Sequence, residues 1–335
     1  MKPEKIIEDF KKGNFKPVYW LEGEEEFFID EVMNYAEKNI LKEEEAGFNL
    51  TIFYGRDAAW ADVMNACRRY PMFADKQVVL IKEAQGMKDI ERLESYIEKP
   101  LSSTVLVVSY KNKKVDGRTK LAKLLKEKGG LLTTKKLYDR DLPEWTQSLA
   151  KSKGFTLNGK ALALLIDHIG NDLSRLSNEI NKVALNLNNR KTITEDDIEK
   201  YVGISKEFNV FELQQAIAHK DLYKAIRIVQ YFEANPKAAP LPLVFPSLYN
   251  YFSKVLMITS ATENDERSIA AAVGISPFFI KEYISTAKKY SPHGLEQVLL
   301  LLHAYNLKSL GVNDAGTEDM LLLKEMVVKM IHSDS

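Results

Sequence analysis

The chain is poor in cysteine and has no long apolar run, and both shortages restrict its class. Cys67 is the only cysteine among 335 residues, which excludes a disulfide framework and favours a reducing compartment. No apolar segment approaches the ~18 residues of a membrane-spanning helix, and no apolar stretch near the N-terminus resembles an export signal. We therefore expect a cytoplasmic protein that does not act at a membrane.

Signatures of catalysis are missing as well. The five histidines show no metal-ligand spacing, and the sequence contains no Gly-x-Ser-x-Gly nucleophile elbow. Cys67 follows Val63 and Met64 on what looks like one helix face, which favours a structural thiol. We expect no catalytic residue, no metal and no cofactor.

The charge that is present is unevenly distributed along a chain whose net charge is zero. Acids outnumber lysines within residues 1–50, whereas residues 111–136 contain ten lysines and arginines against Asp116 and Glu127. This asymmetry allows one face to contact a polyanion while the whole molecule stays neutral. The length is that of two or three domains.

Residues 1–140 alternate between strand and helix patterns at the spacing of βαβ units. The predicted strands are Val18–Leu21, Phe48–Tyr54, Gln77–Ile81, Thr104–Ser109 and Gly130–Thr134. The third and fourth strands are continuous apolar runs, as expected of strands that are buried on both faces of a parallel sheet. We therefore predict an α/β domain with a parallel sheet.

From Asp141 onward the pattern is helical and no further strand is predicted. Asp141-Leu142-Pro143-Glu144 has the cap, early proline and acid of a helix start. Residues 141–207 form one predicted helical module and residues 208–335 another. The predicted fold is thus an α/β domain followed by two all-α domains.

The turn after the first strand has the setting of a nucleotide site without its chemistry. A phosphate loop needs clustered glycines, a lysine and a hydroxyl, but this turn reads Gly23, Glu24, Glu25 and Glu26. Three carboxylates would repel a triphosphate. After the third strand, Lys82 stands where a magnesium-binding aspartate would help. We predict a degenerate site that binds no nucleotide; an active ATPase is the alternative.

The segment Tyr70, Pro71, Met72 and Phe73 has two interpretations. Its large apolar residues lie beside charged ones, as in a plug that inserts into a partner's pocket. Alternatively, Met72 and Phe73 fold under the strand that begins at Gln77. From the pattern alone the core placement is favoured, because most large apolar residues are buried.

The basic loop after the fourth strand offers candidate phosphate contacts. It lies where α/β sheets tend to bind ligands, but a solvated helix face is the commoner meaning of such a charge run. The candidates are Lys111, Lys113, Lys114, Arg118 and Lys120.

Residues 269–280 match the spacing of a helix-turn-helix, with Gly274 in the turn. A DNA-binding regulator is therefore a further alternative. Pro277, Phe278 and Phe279 occupy positions where base-reading polar side chains are needed, so packing or assembly is favoured.

Taken together and in order, these segments resemble the delta-subunit family of the bacterial DNA polymerase III clamp loader. The resemblance spans nearly the whole chain. Its segments are residues 18–27, Trp60 with its helix, residues 71–73 and 78–81, residues 170–176 with Glu179 and Lys182, residues 193–198, 208–213 and 274–278.

The resemblance implies an AAA+-like domain without ATP, a helical lid over 141–207 and a helical collar over 208–335. It implies assembly, through the collar, with the ATPase subunits (gamma/tau) and with delta-prime, together with contact to primer–template DNA in the complex. It also implies binding to the sliding clamp (the beta subunit). The family's clamp-binding pair falls on Met72 and Phe73, flanked by Tyr70 and Pro71, which reverses the preference for a core placement. Met72 departs mildly from the Leu-Phe pair of some relatives.

Overall fold

The structure is a computed structural model that describes residues 1–187, 190–236, 239–261, 265–314 and 316–334. The chain divides into two compact units, Met1–Leu137 and Tyr138–Ser335. The end of the first domain at residue 140 stays a prediction. The further separation of 141–207 from 208–335 stays a prediction.

The first unit is a five-stranded parallel sheet with helices on both faces, in the strand order β2-β3-β4-β1-β5. The strands are β1 (Val18–Gly23), β2 (Leu50–Tyr54), β3 (Gln77–Lys82), β4 (Thr104–Lys111) and β5 (Gly130–Thr134). The helices are α1 (Pro3–Lys11), α2 (Glu26–Asn39), α3 (Glu43–Asn49), α4 (Trp60–Arg68), α5 (Glu94–Glu98) and α6 (Lys120–Lys128). All five predicted strands are confirmed, except that Phe48 and Asn49, predicted in the second strand, belong to α3.

The central strands are buried on both faces, as their apolar runs predict. In β3, Val78 and Leu80 pack with the core under α1 and α2, whereas Val79 and Ile81 pack with the core under α4 and α6. Successive side chains of a strand point to opposite faces, so an uninterrupted apolar run is needed to fill both cores.

The second unit is mainly helical. Its helices are α7 (Leu142–Ser152), α8 (Gly159–Ile169), α9 (Leu173–Ala184), α10 (Glu195–Asp197), α11 (Val210–Ala218), α12 (Leu222–Ala234), α13 (Leu241–Thr259), α14 (Glu266–Val273), α15 (Ile280–Ala287), α16 (Pro292–Ser309) and α17 (Asp319–Ile331). A single turn of π-helix, Ile198–Val202, extends α10. None of the helices in the described ranges combines the length and apolar character of a bilayer crossing.

Two details of this unit differ from expectation. Thr156–Leu157 and Thr192–Ile193 form a small parallel pair, β6 and β7, so the statement that strands stop at Asp141 is wrong. Their two-residue length is too short to produce a periodic pattern. Asp141 does precede α7, but its side chain makes no capping hydrogen bond.

Candidate functional site

The segment that joins α4 to β3 exposes three large apolar side chains. Tyr70, Met72 and Phe73 are 77%, 53% and 93% exposed, and Pro71 is half-buried. The core placement of Met72 and Phe73 is therefore wrong. The backbone of Phe73 has φ = +57°, a left-handed conformation that costs a residue with a side chain roughly 1–2 kcal/mol. We call Tyr70, Met72 and Phe73 the apolar knob.

The knob is fixed to the body of the first unit by Asn49, at the end of α3. Met72 N–H donates to Asn49 Oδ1 at 2.7 Å, and Asn49 Nδ2 donates to Met72 O at 2.9 Å. The same Nδ2 donates to Glu45 O at 3.0 Å. Asn49 is only 3% exposed, so these bonds are shielded from competing water.

The other side of the knob is fixed where α4 ends. Gln77 Nε2 donates to Arg69 O at 2.5 Å and to Ala66 O at 3.1 Å. Thr104 Oγ1 donates to Cys67 O at 2.9 Å. Helix-terminal carbonyls lack intrahelical partners, and these two buried side chains supply them. The exposed apolar residues thus project from an ordered base.

The backbone N–H groups of the turn after β1 are hydrogen-bonded to neighbouring parts of the protein. Gly23 has φ = +124°, and a Cβ atom there would lie 2.2 Å from Thr134 O, so only glycine fits. The N–H groups of Gly23, Glu24 and Glu25 donate to Lys113 O (3.2 Å), Thr134 O (3.3 Å) and Thr134 Oγ1 (3.2 Å). A phosphate cradle requires such N–H groups to converge on the ligand, and here β5 and the loop after β4 accept them.

Lys111 lies at the centre of the acidic groups near this turn. Its Nζ is 2.8 Å from Asp30 Oδ1, 3.1 Å from Glu83 Oε1 and 3.3 Å from Glu26 Oε2. Burial lowers the pKa of Lys111, but the hydrogen bonds to Asp30 and Glu83 outweigh it and raise the pKa overall. The side chain is 11% exposed. This geometry argues against Lys111 as a phosphate contact, because the ammonium neutralises the protein's own carboxylates.

The other four basic candidates remain at the surface. Lys114 Nζ is 3.7 Å from Glu24 Oε1, and the Arg118 guanidinium is 2.8 Å from Asp116 Oδ2. Lys120 Nζ lies near Glu94 and Glu98, at 3.2 and 3.1 Å.

Lys113 Nζ donates to the backbone oxygen of Gln85 at 3.1 Å. Exposed pairs of this kind contribute little free energy, so these four side chains can exchange their partners for phosphates.

Two family models match the chain in sequence. The model of the DNA polymerase III delta subunit matches residues 19–135, and the model of that subunit's C-terminal domain matches residues 207–325. The chain belongs to the DNA polymerase III delta subunit family.

Known delta subunits align over most of the chain. The DNA polymerase III subunit delta of Bacillus subtilis is 26% identical, with 96% of this chain and 94% of the relative aligned. A probable delta subunit of Aquifex aeolicus is 24% identical over 89% of each. The solved structure of the Bacillus subtilis DNA clamp loader delta protein has a TM-score of 0.55 at 24% identity, covering 98% of this chain and 99% of that one. This match supports the AAA+-like fold.

Neither the lone cysteine nor the metal-ligand candidates of this delta-family chain form a reactive site in the described ranges. Cys67 is buried, which raises the pKa of its thiol to about 12, so the reactive thiolate is not populated. Within the described ranges no three histidine, cysteine or acidic side chains are grouped as metal ligands.

The helix-turn-helix candidate is a helix pair. α14 and α15 are joined through Gly274, whose φ of +69° is left-handed, and Ala270 and Ile280 pack together. Pro277, Phe278 and Phe279, which lead into α15, are apolar, which agrees with packing rather than base readout.

Sequence reasoning missed the residues that hold the site in place. Asn49, Gln77, Thr104 and Thr134 are all buried polar residues, and none belongs to a motif. The sequence did contain one sign of Gln77 and Thr104. Each is a polar residue at the start of an otherwise apolar strand, and the two lie in register with each other.

Proposed function

We propose that this delta-family protein is the non-hydrolysing clamp-loader subunit that binds the sliding clamp through the apolar knob and helps to open its ring. The observation that carries the proposal is Phe73, an aromatic side chain 93% exposed in a left-handed conformation on an ordered base. Exposed aromatic anchors that enter a partner's pocket contribute roughly 2–4 kcal/mol each. Nothing in a folded monomer favours such exposure, so a partner accounts for it best.

Pre-organisation strengthens this proposal. The hydrogen bonds of Asn49 fix the Met72 backbone before any partner arrives, so little conformational entropy is lost on binding. The knob can open the clamp only if it binds the open ring more tightly than the closed ring. A rigid base can transmit such a preference, whereas a loose loop would adapt to both states.

The acidic turn supports a subunit that does not use ATP itself. Its three N–H groups already have acceptors, and Lys111 is held by carboxylates. Energy for rearrangement would then come from ATPase partners of the gamma/tau type and from assembly with delta-prime. Exposed apolar residues on the helices of 208–335, namely Leu243, Tyr249, Leu300 and Leu321, are consistent with a collar that packs against such partners.

Ring opening can be tested without the rest of the loader. The cognate sliding clamp is placed on closed circular DNA, and its release is followed after adding this chain without ATP. The wild-type chain should accelerate release, and the Met72→Ala/Phe73→Ala chain should not. Equal release by both chains would remove the knob from the mechanism. Binding of ATP below millimolar concentration would instead favour the active-ATPase alternative.

A second proposed role is contact with primer–template phosphates through Lys113, Lys114, Arg118 and Lys120. It is supported by their exposure on and after the loop at the carboxyl end of β4. Within the assembled complex, neutralising Lys113, Lys114 and Arg118 should weaken DNA binding and reduce its dependence on salt. An unchanged salt dependence would contradict this role.

A further inference from the structure

Phe48, in the last turn of α3, projects from the first unit and belongs to neither of the two cores that cover the sheet. Its side chain is 70% exposed, although the next residue, Asn49, is buried. A single exposed apolar residue is ordinary in a soluble protein. Phe48 is different because of where it lies relative to the apolar knob.

Phe48 and the knob lie at the same edge of the sheet. Phe48 comes just before β2 and the knob comes just before β3. These strands are parallel neighbours, with Leu50 at the start of β2 paired with Val78 near the start of β3. Neighbouring strands are about 4.8 Å apart, so the segments that lead into them are close together at the amino ends of the strands.

The hydrogen bonds of Asn49 limit the distance between Phe48 and the knob. The Asn49 side chain is bonded to Met72 N–H at 2.7 Å and to Met72 O at 2.9 Å, and Phe48 is the next residue along the chain. The Cα atoms of Phe48 and Met72 are therefore within roughly 12 Å of each other. An interface of ordinary size, about 800 Å² on each partner, that is centred on the knob would also cover Phe48.

Arg69 connects the two parts of this surface. It follows the last residue of α4 and directly precedes Tyr70 of the knob. Its guanidinium Nη2 lies 3.5 Å from Thr51 Oγ1 on β2, so the side chain reaches from the base of the knob to the strand that Phe48 leads into. The exposed surface between Phe48 and the knob is thus continuous.

Most of the exposed large apolar side chains of the first unit gather at this edge. Its residues are all described, and four of its six such side chains are Phe48 and the three of the knob. The other two lie elsewhere. Tyr54 is at the opposite end of β2, roughly 15 Å away along the strand, and Met1 is bonded to Leu131 O on β5, at the far side of the sheet. Such gathering favours one shared partner.

We propose that Phe48 is a second anchor for the partner that binds the apolar knob, and that it enters a separate apolar depression beside the pocket of the knob. The inference rests on the proposed function, since it assigns Phe48 to the same sliding clamp. Asn49 has three hydrogen bonds to backbone groups, so the backbone next to Phe48 is ordered before binding and little conformational entropy is lost. The partner surface that fits has two apolar depressions, where the knob alone would need one.

Surface plasmon resonance of the full-length chain on the cognate sliding clamp measures the contribution of Phe48. Phe48→Ala should weaken the affinity about tenfold, mainly through faster dissociation. Phe48→Leu keeps an apolar body and should restore most of the affinity. Tyr54→Ala, the matched control at the other end of β2, should bind like the wild type. All three variants should keep the wild-type melting temperature, because both side chains are exposed.

Photo-cross-linking tests the contact itself. Benzoylphenylalanine in place of Phe48 should cross-link to the clamp, and benzoylphenylalanine in place of Tyr54 should not. Wild-type affinity in Phe48→Ala, with binding lost in Met72→Ala/Phe73→Ala, would overturn this inference and leave the proposed function intact. Wild-type affinity in both variants would overturn the proposed function as well. Cross-links from position 48 to a second copy of this chain, and none to the clamp, would also overturn the inference.

Discussion

Asn49 is hydrogen-bonded to both backbone polar groups of Met72, across 23 positions in the sequence. The amide accepts from Met72 N–H at 2.7 Å and donates to Met72 O at 2.9 Å. A buried side chain on α3 therefore determines where an exposed pair on the α4–β3 loop is presented. The position of the knob depends on a residue that no clamp would contact.

Replacing Asn49 tests whether the apolar knob must be held in position, and not merely be present, for the clamp to bind. Asn49→Ala should lower the unfolding free energy by about 2 kcal/mol, because buried backbone groups lose their partners. It should also weaken binding of the sliding clamp while Met72 and Phe73 are retained. Asn49→Asp would set a carboxylate oxygen against the carbonyl oxygens of Met72 and Glu45 and should not restore the affinity. Asn39→Ala, which removes an exposed bond to Tyr35 O, is the control for urea unfolding and clamp titration.

Gly23 should tolerate no side chain. Gly23→Ala would place Cβ against Thr134 O at 2.2 Å in a left-handed backbone, and we expect a loss of about 3 kcal/mol or more from combined overlap and strain. Gly117→Ala is the matched control, since nothing lies within 4 Å of its added Cβ. Equal melting temperatures for the two variants would show that Gly23 does not lie against Thr134 as described.

Lys111→Met should reduce the loss of stability that acidification causes in the wild type. Burial alone would raise the pKa of Glu83, but the hydrogen bond from Lys111 lowers it below its ordinary value. A carboxyl with a lowered folded-state pKa adds stability above its unfolded pKa, and that stability is lost as the pH falls. Without Lys111, this contribution is missing at neutral pH.

We therefore expect Lys111→Met to lose about 1–2 kcal/mol at pH 7 and to approach the wild type as the pH falls below the ordinary glutamate pKa of 4.5. Thermal unfolding at several pH values measures this. Lys123→Met, on the exposed side of α6, should follow the wild-type curve throughout. A deficit that grows on acidification would contradict the assignment.

The sequence predicted the sheet well because its strands are buried on both faces. Val78–Ile81 and Val105–Val108 are continuous apolar runs, and parallel pairing leaves such runs few alternatives. Phe48 was misassigned because an apolar residue adjoining a strand fits a strand pattern. The structure instead places it in the last turn of α3, with its side chain exposed.

The site was harder to predict because its support is non-local. Period and composition favoured burial of Met72 and Phe73, and only the family resemblance argued for exposure. The contacts that keep Met72 and Phe73 exposed join Asn49 to Met72 and Gln77 to Arg69. Lys111 was grouped with the surface lysines for the same reason, since Asp30 and Glu83 approach it from other elements.

Clamp affinity of the isolated chain tests the central claim most directly. It is measured by surface plasmon resonance on the cognate sliding clamp for the wild type, for Met72→Ala/Phe73→Ala, and for Tyr223→Ala, an exposed aromatic on α12. We predict that the double variant loses affinity at least about a hundredfold, with a nearly unchanged melting temperature, and that Tyr223→Ala binds like the wild type. Wild-type affinity in the double variant would contradict the claim.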